Sequence, residues 1–185
     1  MRWKSENTIR QDFLRRSFAY LTEYGLETMS LRDLCKKTGI STGSIYYWFE
    51  DKEKLVIEAS EFGLDEIAKQ LFEKVNASIG DIDRLFAEMP AVIDSFCGEL
   101  RFVQQVATSP LYGERMRLKS EKLVEQYDAY AAQLAEKSGG NAEEMKTLVY
   151  DFAAAASEYV VWGDKKRLDI LLGDIRRRLA AVCGK

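Results

Sequence analysis

Ser41 to Lys52 reads Ser-Thr-Gly-Ser-Ile-Tyr-Tyr-Trp-Phe-Glu-Asp-Lys, a short helical segment that opens on small polar groups and closes on aromatic ones. The short side chains of Ser41, Thr42 and Ser44, with Gly43 between them, let a helix N-terminus come close to base edges. The hydroxyls of Tyr46 and Tyr47 and the ammonium of Lys52 suit phosphate oxygens. Such groups recognise; they do not make or break bonds. Tyr46 has a plainer alternative as a core ring.

The elements that must position this stretch lie just upstream. Ser30 to Thr38 carries Leu31, Leu34 and Cys35 on one side with charges between them, Ser30 as N-cap and Asp33 at the capping-box position. Gly39 suits the left-handed residue that ends a helix, Ile40 then turns inward, and Ser41 caps the next helix. Helix, glycine turn and helix form a helix-turn-helix, whose second member enters the major groove. Thr28 and Ser30 precede the first of these helices, where hydroxyls and free amides favour a phosphate; capping alone is the competing role.

Gly25 through Leu55 resembles the DNA-binding domain of the tetracycline-repressor (TetR) family. Gly25, Thr28, Ser30, Gly39, Ser41, Gly43, Tyr46, Phe49, Lys52 and Leu55 stand in the family's order and spacing. The resemblance covers the first third of the chain. Ser17 and Cys35 depart from it where the family often has Ala, and Trp48 where a polar residue is common. It implies an all-α fold of about nine helices: a three-helix helix-turn-helix DNA-binding domain over 1–50, then a helical ligand-binding and dimerisation domain over 51–185. It further implies a homodimer on a near-palindromic double-stranded operator, acting as a repressor that a small-molecule inducer releases, without a cofactor. For Thr28 and Ser30 it favours capping combined with phosphate contact.

The 185 residues carry a formal charge of −3 and no histidine. Histidine triads and histidine-containing metal sites are thereby excluded, and Cys-x-x-Cys, Walker and Gly-x-Gly-x-x-Gly motifs are missing. No catalytic or metal-binding residue is expected, and the chain is not expected to be an enzyme. Charge is uneven: through Leu55 ten Lys and Arg face eight Asp and Glu, a net of +2, whereas the remainder has 17 against 22, a net of −5. This mild bias favours the first third as the partner of a polyanion. Cys35, Cys97 and Cys183 are isolated, which suits a reducing compartment, and Cys35 and Cys97 are expected as small core residues. No apolar run approaches the roughly 20 residues needed to cross a bilayer, so a cytoplasmic location without membrane contact is expected.

A first helix from about Thr8 to Tyr24 precedes the helix-turn-helix, and Arg2, Trp3 and Lys4 form either a basic arm or a frayed end. A long helix is expected from Asp51 to Ser78, with Gly63 as a bend, a tight packing point or a tolerated glycine. Turn signals then divide the chain into segments at about Ile82 to Cys97, Leu100 to Thr108, Tyr112 to Ser138, Ala142 to Gly163 and Lys165 to Val182. The last two carry an alanine run including Ala154 and a stripe of Leu168, Leu171, Leu172, Ile175 and Leu179. That pattern fits either a four-helix interface between two copies or an ordinary core. Phe86, Phe96, Phe102, Tyr127, Tyr130, Phe152, Tyr159 and Trp162 are candidates for an apolar ligand cavity, with core packing as the plainer role. The competing function is a helical small-molecule-binding or enzymatic protein whose N-terminal domain makes protein contacts.

Overall fold

A computed structural model describes residues 6–26, 30–117 and 120–184, and every regular element among them is an α-helix. The order is α1 (Glu6–Tyr24), α2 (Leu31–Thr38), α3 (Thr42–Phe49), α4 (Lys52–Ser78), α5 (Ile82–Ser95), α6 (Cys97–Thr108), α7 (Gly113–Arg117), α8 (Ser120–Ser138), α9 (Ala142–Trp162) and α10 (Lys165–Val182). Helix α7 and helix α8 fall within the segment expected as one helix from Tyr112 to Ser138. The expected arm at Arg2, Trp3 and Lys4 lies outside the described residues.

Local chemistry starts and stops these helices. Asp81, Asn141 and Asp164 cap α5, α9 and α10 by accepting backbone N–H groups from the following turn, the acceptors that orphaned helix amides require. Gly25, Gly139 and Gly163 have φ of 76°, 71° and 67° after α1, α8 and α9, a conformation that glycine adopts without a Cβ penalty. One boundary differs from expectation: the break between α5 and α6 falls at Phe96, with Gly98 inside the first turn of α6.

The chain forms two compact units, one of residues up to Glu66 with a segment starting at Arg101, the other of Ile67–Leu100 with a segment starting at Ser120. In the first unit Leu14, Leu21, Leu34, Ile40, Ile45, Phe49, Leu55 and Val56 are buried. Gly63 does not interrupt α4; a Cβ there would meet the Phe18 ring, so it is a point of close approach. Phe18 in turn meets Phe102 edge-on at a centroid distance of 5.9 Å. In the second unit Leu85, Met89, Ile93, Met145, Leu148, Leu168, Leu172, Ile175 and Leu179 belong to one apolar cluster supplied by α5, α9 and α10, with α8 adding Ala131 and Leu134.

Two polar features of these cores lead to predictions. Ser17 is fully buried on α1 and its hydroxyl has no hydrogen-bond partner. An unsatisfied buried hydroxyl costs about 1–3 kcal/mol, so Ser17→Ala should raise the melting temperature, by about 2–4 °C per kcal/mol gained; an unchanged or lower value in a thermal melt would show the hydroxyl to be satisfied. In the second unit the Tyr159 hydroxyl donates to Asp94 Oδ1 at 2.5 Å, and Lys165 Nζ lies 3.2 Å from Asp94 Oδ2. The Tyr159 hydrogen bond and then Lys165 hold the Asp94 carboxyl below its ordinary value, while Tyr159 is pushed up to about 12, first by the same bond. A depressed carboxylate stabilises the fold above its unfolded pKa of about 4 and loses that contribution as pH falls through the folded value. Asp94→Asn should therefore lower the melting temperature at pH 7, and the gap to the unaltered protein should close below about pH 4.

Candidate nucleic-acid interface

Ser30 takes extended backbone angles (φ −93°, ψ 144°), and its hydroxyl accepts the Asp33 N–H at 3.0 Å. Helix α2 ends at Gly39, whose φ of 70° lets its N–H reach the Cys35 carbonyl. Ile40 is buried, and Ser41 (φ −74°, ψ 152°) accepts the Ser44 N–H at 3.0 Å to begin α3. The angle between the two helices is thus set within three residues, Gly39 to Ser41. An Arg16 guanidinium from α1 donates to the Thr38 carbonyl at 2.8 Å, satisfying an orphaned acceptor at the end of α2.

Helix α3 has two faces. Ile45 and Phe49 are wholly buried, and the Arg10 guanidinium sits 5.3 Å over the Phe49 ring while pairing with Glu58 of α4. The other face carries Thr42, Gly43, Tyr46 and Tyr47, all exposed. Tyr46 at 55% and Tyr47 at 72% exposure are not core rings. Tyr47 meets Trp48 edge-on at 4.9 Å, which gives the half-buried indole a packing role at the end of the helix. Ser44 is half-buried and its hydroxyl pairs with Ser41 Oγ at 2.7 Å.

Helix α3 holds no charged residue, so its field comes from its neighbours. Arg32, Lys36 and Lys37 are exposed on α2 and Lys52 opens α4. The Lys37 ammonium lies 5.3 Å over the Tyr24 ring, and a hydrogen bond to Tyr24 raises its pKa. Asp51 accepts the Lys54 N–H at 2.6 Å, and Lys54 pairs with Glu50 at 2.6 Å. Those acids are engaged with their own helix start. Ser41, Thr42, Gly43, Ser44, Tyr46 and Tyr47 thus lie on α3 and its N-cap, and Lys52 opens the helix that follows; Ser30 caps the opposite end of α2, and Thr28 lies outside the described residues.

The other candidate residues are not gathered in this way. Phe102 belongs to the first unit, the remaining seven aromatics to the second. Phe86 and Phe152 pack against the apolar cluster of the second unit. Phe96 is half-buried after α5. Tyr130 stacks on Phe72 at 4.2 Å, and Tyr127 meets Tyr150 edge-on at 5.9 Å, its phenol pKa raised chiefly by burial. Tyr159 bonds Asp94 as above, and Trp162 is 77% exposed beside a shallow depression lined by Ala155, Arg167 and Leu171. Of the six residues considered for an interface between copies, Leu168, Leu172, Ile175 and Leu179 are buried within their own chain. Ala154 is exposed and Leu171 half-buried.

Sequence reasoning missed three arrangements: Arg10 joining Phe49 to Glu58, Asp94 held by Tyr159 and Lys165, and Cys35 Sγ lying 3.4 Å from Thr42 Oγ1. The first two join residues far apart in sequence with no local signal. The third could have been anticipated, since Cys35 stands in the last turns of α2 and Thr42 opens α3 directly across the glycine turn. Among the described residues no group of histidine, cysteine or carboxylate side chains could hold a metal ion, and no helix is long and apolar enough to cross a membrane.

Comparison with known proteins places this geometry. Residues 13–59 match the family described as bacterial regulatory proteins, tetR family. Over 79 residues the chain is 30% identical to the HTH-type transcriptional repressor KstR2 of Mycobacterium tuberculosis, in each of two strains, covering 43% of this chain and 40% of that protein. The match thus spans well under half the length of those relatives. A crystal structure of a TetR transcriptional regulator from Legionella pneumophila aligns with 96% of this chain and 98% of its own, at a TM-score of 0.56 and 17% identity, a likeness of fold. The helix-turn-helix of α2 and α3 lies inside the matched segment, so residues 13–59 resemble the tetR family of bacterial regulatory proteins, and the fold of the chain is like that of a TetR regulator.

Proposed function

We propose that the chain is a dimeric, sequence-specific DNA-binding transcriptional regulator, a repressor that leaves a near-palindromic operator when a small molecule binds its helical body. The observation that carries the reading is the outward face of α3, where Thr42, Gly43, Tyr46 and Tyr47 are exposed while Ile45 and Phe49 anchor the helix from behind. A helix held rigidly by one face and bare on the other is what a major groove accepts. Residues 1–50 act as the reader and 51–185 as the ligand-binding and dimerising body. The rival reading, an N-terminal domain that contacts protein, predicts no sequence preference among duplexes.

Dimerisation is supported by what α9 and α10 leave uncovered. Val161, Trp162 and Ile170 are 56%, 77% and 64% exposed, and Ala154 and Leu171 add surface on the same two helices. A two-fold pair would present two copies of α3 to two half-sites. Helix α4, one continuous helix that contributes to both compact units, is the element through which a ligand would alter DNA affinity. Reciprocity then requires DNA to weaken ligand binding by the same factor.

Positioning and reading contacts should separate by mutation. Lys52→Ala should weaken binding to the chain's own upstream DNA and to unrelated duplex alike, and lower the slope of log affinity against log salt by about 1. Tyr46→Phe, which removes only the hydroxyl, should likewise cost affinity without changing base preference. Thr42→Ala should alter the preferred bases. Equal binding by these variants and the unaltered protein across a salt titration contradicts the assignment. For the dimer, light scattering at micromolar concentration should give twice the chain mass, reduced to one by Ala154→Glu combined with Leu171→Glu; a monomer from the start, or an unaffected double variant, contradicts that interface.

A further inference from the structure

The hydroxyl groups in the first turn of α3 are already engaged inside the protein. Ser41 Oγ accepts the Ser44 N–H and pairs with Ser44 Oγ, and Thr42 Oγ1 is turned toward Cys35 Sγ at 3.4 Å. Thr42 is nevertheless exposed. A threonine Cβ carries its hydroxyl and its methyl in staggered positions about 120° apart. Two rotamers are ordinarily open to threonine in a helix, and the contact with Cys35 selects the one that points the oxygen at α2. The group left on the exposed side is then the methyl. Gly43 beside it has no side chain to cover it, and a Cβ added there would meet nothing closer than Ser41 Oγ at 3.9 Å.

We propose that Thr42 reads DNA through its methyl group, by apolar contact with the 5-methyl of a thymine, and that Cys35 is the positioning residue that keeps the hydroxyl off the base. The proposal rests on the assignment of α3 as the DNA-reading helix. In the major groove the thymine methyl is an apolar feature that no other standard base presents, and threonine methyls are suited to it. The Ser41 and Ser44 hydroxyls bond to each other, which occupies one of their two O–H donors, and Ser41 Oγ also accepts the Ser44 N–H. The first turn therefore presents shape and apolar surface, and selectivity at this position takes the form of thymine against the three bases without a methyl. Burying one methyl pair changes affinity by about three- to fivefold.

The test uses the full-length protein and the duplex it selects most strongly from its own upstream DNA, with each thymidine replaced in turn by deoxyuridine, which removes only the 5-methyl. The unaltered protein should lose about three- to fivefold in affinity at one position per half-site. Thr42→Val, which keeps a methyl and deletes the hydroxyl, should retain the thymine-to-uracil ratio at that position. Thr42→Ser, which keeps the hydroxyl and deletes the methyl, should bring the ratio to one. Cys35→Ala should reduce the ratio with its circular-dichroism spectrum unchanged, an effect that a purely structural cysteine would not produce, and Cys35→Ser should restore it by offering an oxygen partner. Selective binding that is blind to every uracil substitution overturns the proposal and leaves the DNA-reading assignment standing. A ratio lost in Thr42→Val and kept in Thr42→Ser overturns it in favour of hydroxyl readout. Absence of any sequence-selective binding overturns the DNA-reading assignment itself.

Discussion

The backbone at Gly39 is the constraint on which the exposed face of α3 depends. At φ 70° it turns the chain out of α2, and Ile40 and Ser41 then bury an anchor and cap α3 within two residues. A Cβ in this conformation costs about 1–2 kcal/mol, yet the larger consequence of a relaxed turn would be geometric. The direction of α3 and the closeness of Cys35 to Thr42 depend on that left-handed residue together with Ile40 and Ser41, and the burial of Ile45 and Phe49 turns Tyr46 and Tyr47 outward. Everything behind it serves to hold the result: Arg16 on the Thr38 carbonyl, Arg10 over Phe49, and Glu58 of α4 paired with Arg10.

That support explains how a helix of eight residues can act as a rigid element. Isolated helices of this length are unstable in water, so α3 owes its order to Ile45 and Phe49, both wholly buried, and to its Ser41 cap. The division of labour along it is strict. One face supplies burial, and the other leaves Thr42, Gly43, Tyr46 and Tyr47 exposed. In the first turn Ser41 and Ser44 bond to each other and Thr42 Oγ1 lies against Cys35 Sγ, so on the proposed reading shape would count as much as donors and acceptors.

Much of this was legible in the sequence, and for identifiable reasons. Helix caps and glycine stops are local signals, so Ser30, Gly39, Ser41 and Gly163 could be assigned from neighbouring residues alone, while the all-α architecture was what the resemblance of Gly25 through Leu55 implied. Tyr46 could not be assigned in this way, because an aromatic at helical spacing suits a core or a surface equally; only the packing of Ile45 and Phe49 beside it shows which face it occupies. The stripe of Leu168, Leu172, Ile175 and Leu179 posed the same difficulty. Its periodicity announces burial without saying against what, and the apolar cluster of its own chain takes up all four side chains. Phe102 lies in a different compact unit from the aromatics it was grouped with, a long-range fact that no local pattern carries.

The central claim is that α3 and its flanks form the surface that meets DNA. Amide hydrogen exchange on the full-length protein, with and without its own upstream duplex, tests it most directly, because it localises the contact without altering any residue. The account predicts slowed exchange concentrated at the start of α2 and from Ser41 to Lys52, stronger with the upstream duplex than with a scrambled one of equal length. Protection confined to other helices, or equal protection by both duplexes, would contradict it.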